Sequence, residues 1–124
     1  MSFVEKRRYP RIKKKLPLKL ESKEFDIITE AENTSASGTY CRIEKYLTPF
    51  TMLDISLFLS SKDKAKRIDC KGVVVRVEEN LDKTYNIAIY FNEIKEMDRE
   101  KISQYVDYYL RRKQILYRSR RKFL

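Results

Sequence analysis

The chain predicts an all-β dominated fold, a six-stranded antiparallel β-barrel followed by one C-terminal amphipathic α-helix. Three observations point there. Six short segments between Leu16 and Ile94 alternate apolar with polar residues or are rich in β-branched and aromatic ones. Polar, turn-forming breaks separate them with no long helical stretch between, the pattern of an antiparallel sheet that closes on itself. After Asp98 the apolar spacing changes from two residues to three and four, the period of a helix.

Each element follows from its residues. LPLKLES (16–22) sets Leu16, Leu18 and Leu20 on one face against Pro17 and Lys19. FDIITEAEN (25–33) runs toward the turn-rich NTSASG, and TYCRIEK (39–45) resumes with Cys41 and Ile43 on a shared face. MLDISLFLS (52–60), IDCKGVVVRVEE (68–79) and TYNIAIYFNEI (84–94) complete the strands. In the helix, Ile102, Tyr105, Val106, Tyr109 and Leu110 form the apolar stripe, Asp98 is the expected N-cap, and the helix is expected to cover an opening or edge of the barrel. The organisation expected is one domain: a basic N-terminal arm over 1–15, the barrel over 16–96, the helix over 97–117 and a basic tail over 118–124.

Charge divides the chain more sharply than its net value of +10 suggests. Residues 1–15 hold seven Lys/Arg against one Glu, 111–124 hold seven against none, and the body between holds 14 against 17 acids. The body is near neutral, and both ends are cationic arms suited to a polyanion. No apolar run reaches the roughly 18 to 20 residues of a membrane span, and no secretory pattern opens the chain, so a cytoplasmic protein without a transmembrane segment is expected. Histidine is absent and the cysteines, Cys41 and Cys70, lack CxxC spacing. With no nucleophile elbow and no phosphate-cradling glycine loop, neither metal binding nor catalysis is expected. Both cysteines read as small buried hydrophobes, Tyr105 and Tyr109 as packing residues, and Glu78 and Glu79 as solvated charge.

Two segments carry chemistry. In RRYPR (7–11), Pro10 disfavours helix for Tyr9, so Arg7 and Arg11 belong to an extended or turning loop and can approach an anion from two sides. Each guanidinium matches phosphate oxygens or the O6/N7 edge of guanine, and Tyr9 offers a stacking face. Taken alone, the run also reads as a solvated tail. In NTSASG (33–38), Gly38 is one of two glycines in the chain, which implies a positive φ or a close approach by another group; Asn33 and Ser35 add short polar side chains. Taken alone, this segment also reads as an ordinary hairpin turn.

As an ordered pair, RxxxR (Arg7, Arg11) and, some twenty residues on, [DN]xSxxG (Asn33, Ser35, Gly38) resemble the PilZ domain family of bacterial cyclic di-GMP receptors. KGVVVRV (71–77) is similar to that family's glycine-containing fifth strand and YNIAIYF (85–91) to its last, with Ala88 where glycine is frequent. The resemblance spans roughly residues 5–110. It implies that Arg7 and Arg11 clamp cyclic di-GMP with Arg8 as an extra contact, that Asn33 and Ser35 hydrogen-bond guanine, and that Gly38 leaves room. It further implies a ligand-ordered arm and a downstream protein partner, in a monomer or homodimer. Two rival readings stand beside it: a small basic barrel that binds nucleic acid or another polyanion, the less favoured because the body is net negative, and a PilZ-fold adaptor that binds no nucleotide. The basic C-terminal tail extends the helix toward a partner, lies on an anionic surface, or serves as a solubilising end.

Overall fold

The computed structural model describes residues 9–60 and 65–122, the side chains of residues 65 and 113–122 excepted. Leu16, Leu18 and Leu20 are buried with Pro17 exposed between them, and this alternation makes β1 (Leu16–Glu21). Pro17 pairs only with β2, because the ladder to β4 starts at Leu18, so its missing N–H falls at the end of the strand where fewer bonds are needed. The remaining elements are β2 (Asp26–Ser35), β3 (Gly38–Ile43), β4 (Met52–Ser60), β5 (Ala65–Glu79), β6 (Tyr85–Glu93) and α1 (Glu96–Lys122). Their order, β1-β2-β3-β6-β5-β4, closes into a barrel in which every pair is antiparallel. The architecture is the one the sequence predicts.

Leu16, Leu18, Leu20, Ile55, Leu57, Ile68, Ile87 and Phe91 fill the core, each leaving at most 2% of its surface exposed. Burying a side chain of this size contributes about 1.5–3 kcal/mol. Ile102 and Val106 of α1 are equally buried, and Tyr105, Tyr109 and Leu110 pack beside them, so the predicted stripe faces the barrel.

Several boundaries differ from expectation, each for a local reason. The turn foreseen over 33–38 shrinks to Ala36 and Ser37, because Thr34 and Ser35 continue the ladder to Thr39 and Gly38. Asp98 is not the N-cap: its N–H and that of Arg99 both donate to the Lys95 carbonyl, at 2.9 and 3.0 Å. Asp98 sits instead in the first turn with Glu96, where carboxylates suit the helix dipole. The helix continues to Lys122, so residues 118–122, expected as tail, are helical. Cys41 is buried as expected and Cys70 only half-buried; burial pushes both thiols up to about 12 and keeps them protonated.

The N-terminal arm docks on the barrel through Ile12 and Lys14, among other contacts. Ile12 is 5% exposed and exchanges two backbone hydrogen bonds of 3.0 Å with Thr34. Two residues further, the Lys14 ammonium donates to the Ser60 carbonyl (3.3 Å), to the Tyr105 hydroxyl (3.0 Å) and to the Tyr109 hydroxyl, and lies 4.0 Å from the Tyr109 ring centre. Burial alone would lower the Lys14 pKa, but the two hydroxyls outweigh it and hold the ammonium charged. A strand end, the arm and α1 thus meet at one cation.

Candidate functional site

The arm, the β2–β3 hairpin and the middle of β6 with Val75 and Arg76 of β5 enclose a concavity of about 610 Å³. Arg11, Asn33, Ser35 and Gly38, from two segments of sequence, line it together. The Ile12–Thr34 bridge places Arg11 at one wall. A β-bulge between Ala31 and Asn33 re-aims β2 just before the polar residues begin, a use to which bulges beside functional sites are commonly put.

The hairpin tip is held by its own hydroxyls. Thr39 donates to the Asn33 carbonyl at 2.9 Å, so the 3.0 Å contact between Thr34 and Thr39 has Thr34 as donor. Both threonines are buried and both are satisfied. The Ser35 hydroxyl accepts the Ser37 N–H at 3.1 Å and lies 2.9 Å from the Ser37 hydroxyl. Ser35 therefore shapes the turn, and Ser37, half-buried and lining the cavity, is its outer hydroxyl.

Gly38 satisfies one of its two sequence-derived alternatives. No glycine has a positive φ, but a Cβ at position 38 would stand 2.2 Å from the Ile89 carbonyl oxygen. Close approach of β6, rather than backbone twist, requires the glycine.

The opposite wall is built by residues that sequence reasoning missed. A register shift between Val74 and Arg76 leaves Val75 and Arg76 both exposed in succession, and both line the cavity. The Arg76 guanidinium lies 5.9 Å from the Tyr40 ring centre and pairs with Glu78 at 3.2 Å. Burial, and secondarily the Glu78 charge, raise the Tyr40 pKa, so its hydroxyl stays a donor. Ala88, paired with both Tyr40 and Arg76, supplies the floor between them, and Tyr90 forms an exposed rim. In sequence, the signal was Arg76 interrupting the apolar run VVVRV.

Tyr9, which offers a stacking face in the sequence, does not line this cavity; the Arg99 guanidinium of α1 lies 5.8 Å from its ring centre. Arg7 and Arg8 lie outside the described residues. Among the described residues lining the cavity none is acidic, and two carry guanidiniums, set beside hydroxyl and amide groups. Such a surface suits an anion that also carries planar, hydrogen-bonding groups. A larger and more open depression near the other end of β5 is unlike it, lined by Glu21, Asp54, Asp69 and Glu93 among its cations.

The family model described as the PilZ domain matches residues 5–108. The chain belongs to the PilZ domain family. Among solved structures, this PilZ domain is similar to the Bacillus subtilis inhibitor of motility MotI/DgrA, with a TM-score of 0.76 and 22% identity over 87% of this chain and 51% of that one. It is similar also to YcgR from Escherichia coli in complex with c-di-GMP, with a TM-score of 0.69 and 14% identity over 92% of this chain and 50% of that one. The K. pneumonia MrkH–c-di-GMP complex aligns with a TM-score of 0.63 and 18% identity, over 94% of this chain and 55% of that one. The chain spans about half the length of these three proteins, and at these identities they share its fold. No curated protein sequence matches the chain. Among the described residues no helix is long and apolar enough to cross a membrane.

Proposed function

We propose that this PilZ domain is a receptor for cyclic di-GMP, which it binds in the cavity between the arm and the β2–β3 hairpin. The observation that carries this reading is the meeting of Arg11 with Asn33, Ser35 and Gly38 in one concavity with no acidic side chain among the described residues that line it. Family membership and structural neighbours solved with c-di-GMP support it.

In this reading Arg11 forks onto a phosphodiester or a guanine O6/N7 edge, a match that the point charge of lysine lacks. Arg7 and Arg8 add guanidiniums from the preceding residues. Asn33 reads a guanine edge, Ser35 holds the turn that presents Ser37, and Gly38 leaves the floor low enough for a base. Tyr40 and Arg76 close the far wall. Binding involves no chemical step: the ligand changes the surface formed by the arm, and a protein partner reads that change.

Isothermal titration calorimetry with cyclic di-GMP, and with GTP and a short single-stranded oligonucleotide as controls, tests the reading. Saturable heat with cyclic di-GMP alone is the expected result, and its stoichiometry separates single from stacked ligand. Absence of heat with the messenger, with salt-sensitive binding of the oligonucleotide, would overturn it.

A further inference from the structure

The arm touches α1 at two cations, and the two contacts differ in quality. At Lys14 the ammonium has three N–H donors and three acceptors, the Ser60 carbonyl and the hydroxyls of Tyr105 and Tyr109. At Tyr9 the ring centre lies 5.8 Å from the Arg99 guanidinium, whose Nε is buried with no hydrogen-bond partner among the described residues. Tyr9 is also the largest influence raising the Arg99 pKa, ahead of burial, which lowers it. Ile102, Val106 and Tyr109 follow Arg99 by three, seven and ten positions, so this cation stands on the stripe that faces the barrel. A buried donor left without an acceptor costs free energy, a cost the Lys14 contact does not carry. Lys14 is therefore the firm anchor of the arm, and the Tyr9 contact is the one more easily given up.

We propose that Tyr9 and Arg99 form a releasable clasp, closed in the empty domain and opened when ligand draws the arm onto the cavity, so that α1 reports occupancy by uncovering Arg99. The inference rests on the cyclic di-GMP reading and names the contact through which that site signals. Residues two apart share a face of an extended chain, and Arg7, Tyr9 and Arg11 are so spaced. Arg11 lines the cavity, whereas Tyr9 is turned to α1. For Arg7 and Arg11 to hold one ligand from a common face, Tyr9 must turn with them and leave Arg99.

The seating of the arm allows that movement. Arg11 stands between two recesses, the ligand cavity and a cleft of about 260 Å³ that it lines together with Lys14, Tyr109 and Leu110. Ile12 is tied to Thr34 and Lys14 to α1, so the pivot lies between Tyr9 and Ile12, where Pro10 has no N–H to bind a neighbour. If ligand binds the open arm only, its apparent affinity is reduced by the fraction of molecules in which the clasp is open. Weakening the clasp must then tighten binding. Were Arg99 a packing residue alone, weakening its contact would leave the affinity unchanged or lower it.

The test joins calorimetry to arginine footprinting on the full chain. Arg99→Gln, which keeps a good helix former at the position, should bind cyclic di-GMP about threefold to tenfold more tightly than wild type, because opening no longer opposes binding. Phenylglyoxal modifies accessible guanidiniums, and its reaction at Arg99 is followed by peptide mass spectrometry. Saturating cyclic di-GMP should raise that reaction several-fold in the wild type, and Tyr9→Ala should raise it without ligand. Equal or weaker binding by Arg99→Gln overturns the proposal, weaker binding assigning Arg99 to the ligand itself. So does an Arg99 reaction in the wild type that stays level or falls at saturation, a result that needs no variant to fold. With saturable heat in the wild type, either result sinks the clasp and leaves the receptor reading standing. Absence of that heat overturns the receptor reading, and opening of the clasp by this ligand with it.

Discussion

The two cationic ends of the chain use the same residue types in opposite geometries. At the N-terminal end Arg11 lines a concave wall, faced by the hydroxyls of the β2–β3 hairpin and by Tyr40 and Arg76. At the C-terminal end Arg111 and Arg112 are exposed on a convex helix surface. In a concavity a guanidinium works at contact distance, through fork geometry and partial exclusion of water. On a convex surface it works through long-range charge, which salt screens over about 8–10 Å. The comparison teaches that arginine count predicts affinity for anions, while the surface beneath the arginines predicts which anion.

The largest expected effect comes from crowding the close β3–β6 approach beside the concavity. Gly38→Ala places a methyl against the Ile89 carbonyl oxygen, 2.2 Å away before relaxation, so β3 and β6 must separate. A loss of about 1–3 kcal/mol in a denaturant melt is expected, together with loss of cyclic di-GMP binding. A variant that binds and melts like wild type would show that the close approach is dispensable.

Arg11→Ala comes next, with a loss of about 1–3 kcal/mol in cyclic di-GMP affinity by calorimetry. Deletion of residues 113–124 should leave that affinity unchanged. If the deletion weakened binding as much as Arg11→Ala does, the two ends would not be independent and the comparison would collapse.

A smaller change tests the joint between the ends. Lys14→Met keeps the aliphatic stem and removes the ammonium that bonds Ser60, Tyr105 and Tyr109. A loss of about 1 kcal/mol is expected in urea unfolding. A variant as stable as the wild type would show that the arm's docking does not depend on the Lys14 ammonium.

The smallest effect concerns pH. The Arg67 guanidinium, at 2.7 Å, and then the Ser56 hydroxyl lower the pKa of Asp69 from its ordinary 3.8. The folded state therefore binds fewer protons there than the unfolded chain, and the contribution is present above pH 3.8 and lost as pH falls through the folded value. Thermal melts of wild type and Asp69→Asn should converge below that pH; a gap that persists in acid would mean the charge is not the cause.

Much of the fold was legible because burial and alternation agree along single strands. Leu16, Leu18 and Leu20 show their face in the sequence, and Ile102 and Val106 show theirs. The meeting of Arg11 with Asn33, Ser35 and Gly38 in one cavity agrees with the ordered motif pair, which brought those residues to notice. Arg76 and Tyr40 were not found, because their proximity depends on the β3–β6–β5 register and on a bulge after Val74, of which Arg76 within VVVRV is a faint local mark. The contact of Tyr9 with Arg99 was not foreseen because it spans most of the chain. The N-cap was misplaced because Lys95, whose side chain cannot cap, supplies the first helical carbonyl.

The bridge between Ile12 and Thr34 has a kinetic consequence. A wholly loose arm would have to be folded onto each ligand that arrives, and many encounters would separate before it closed. With Ile12 seated, Arg11 is held beside the cavity before any ligand comes, and the backbone entropy of this part of the arm, about 1–2 kcal/mol per residue, is lost at folding. Capture can then begin at the rate of a docked surface, on the order of 10⁵–10⁷ M⁻¹s⁻¹. Differences in affinity among arm variants will accordingly appear as differences in how long the ligand stays.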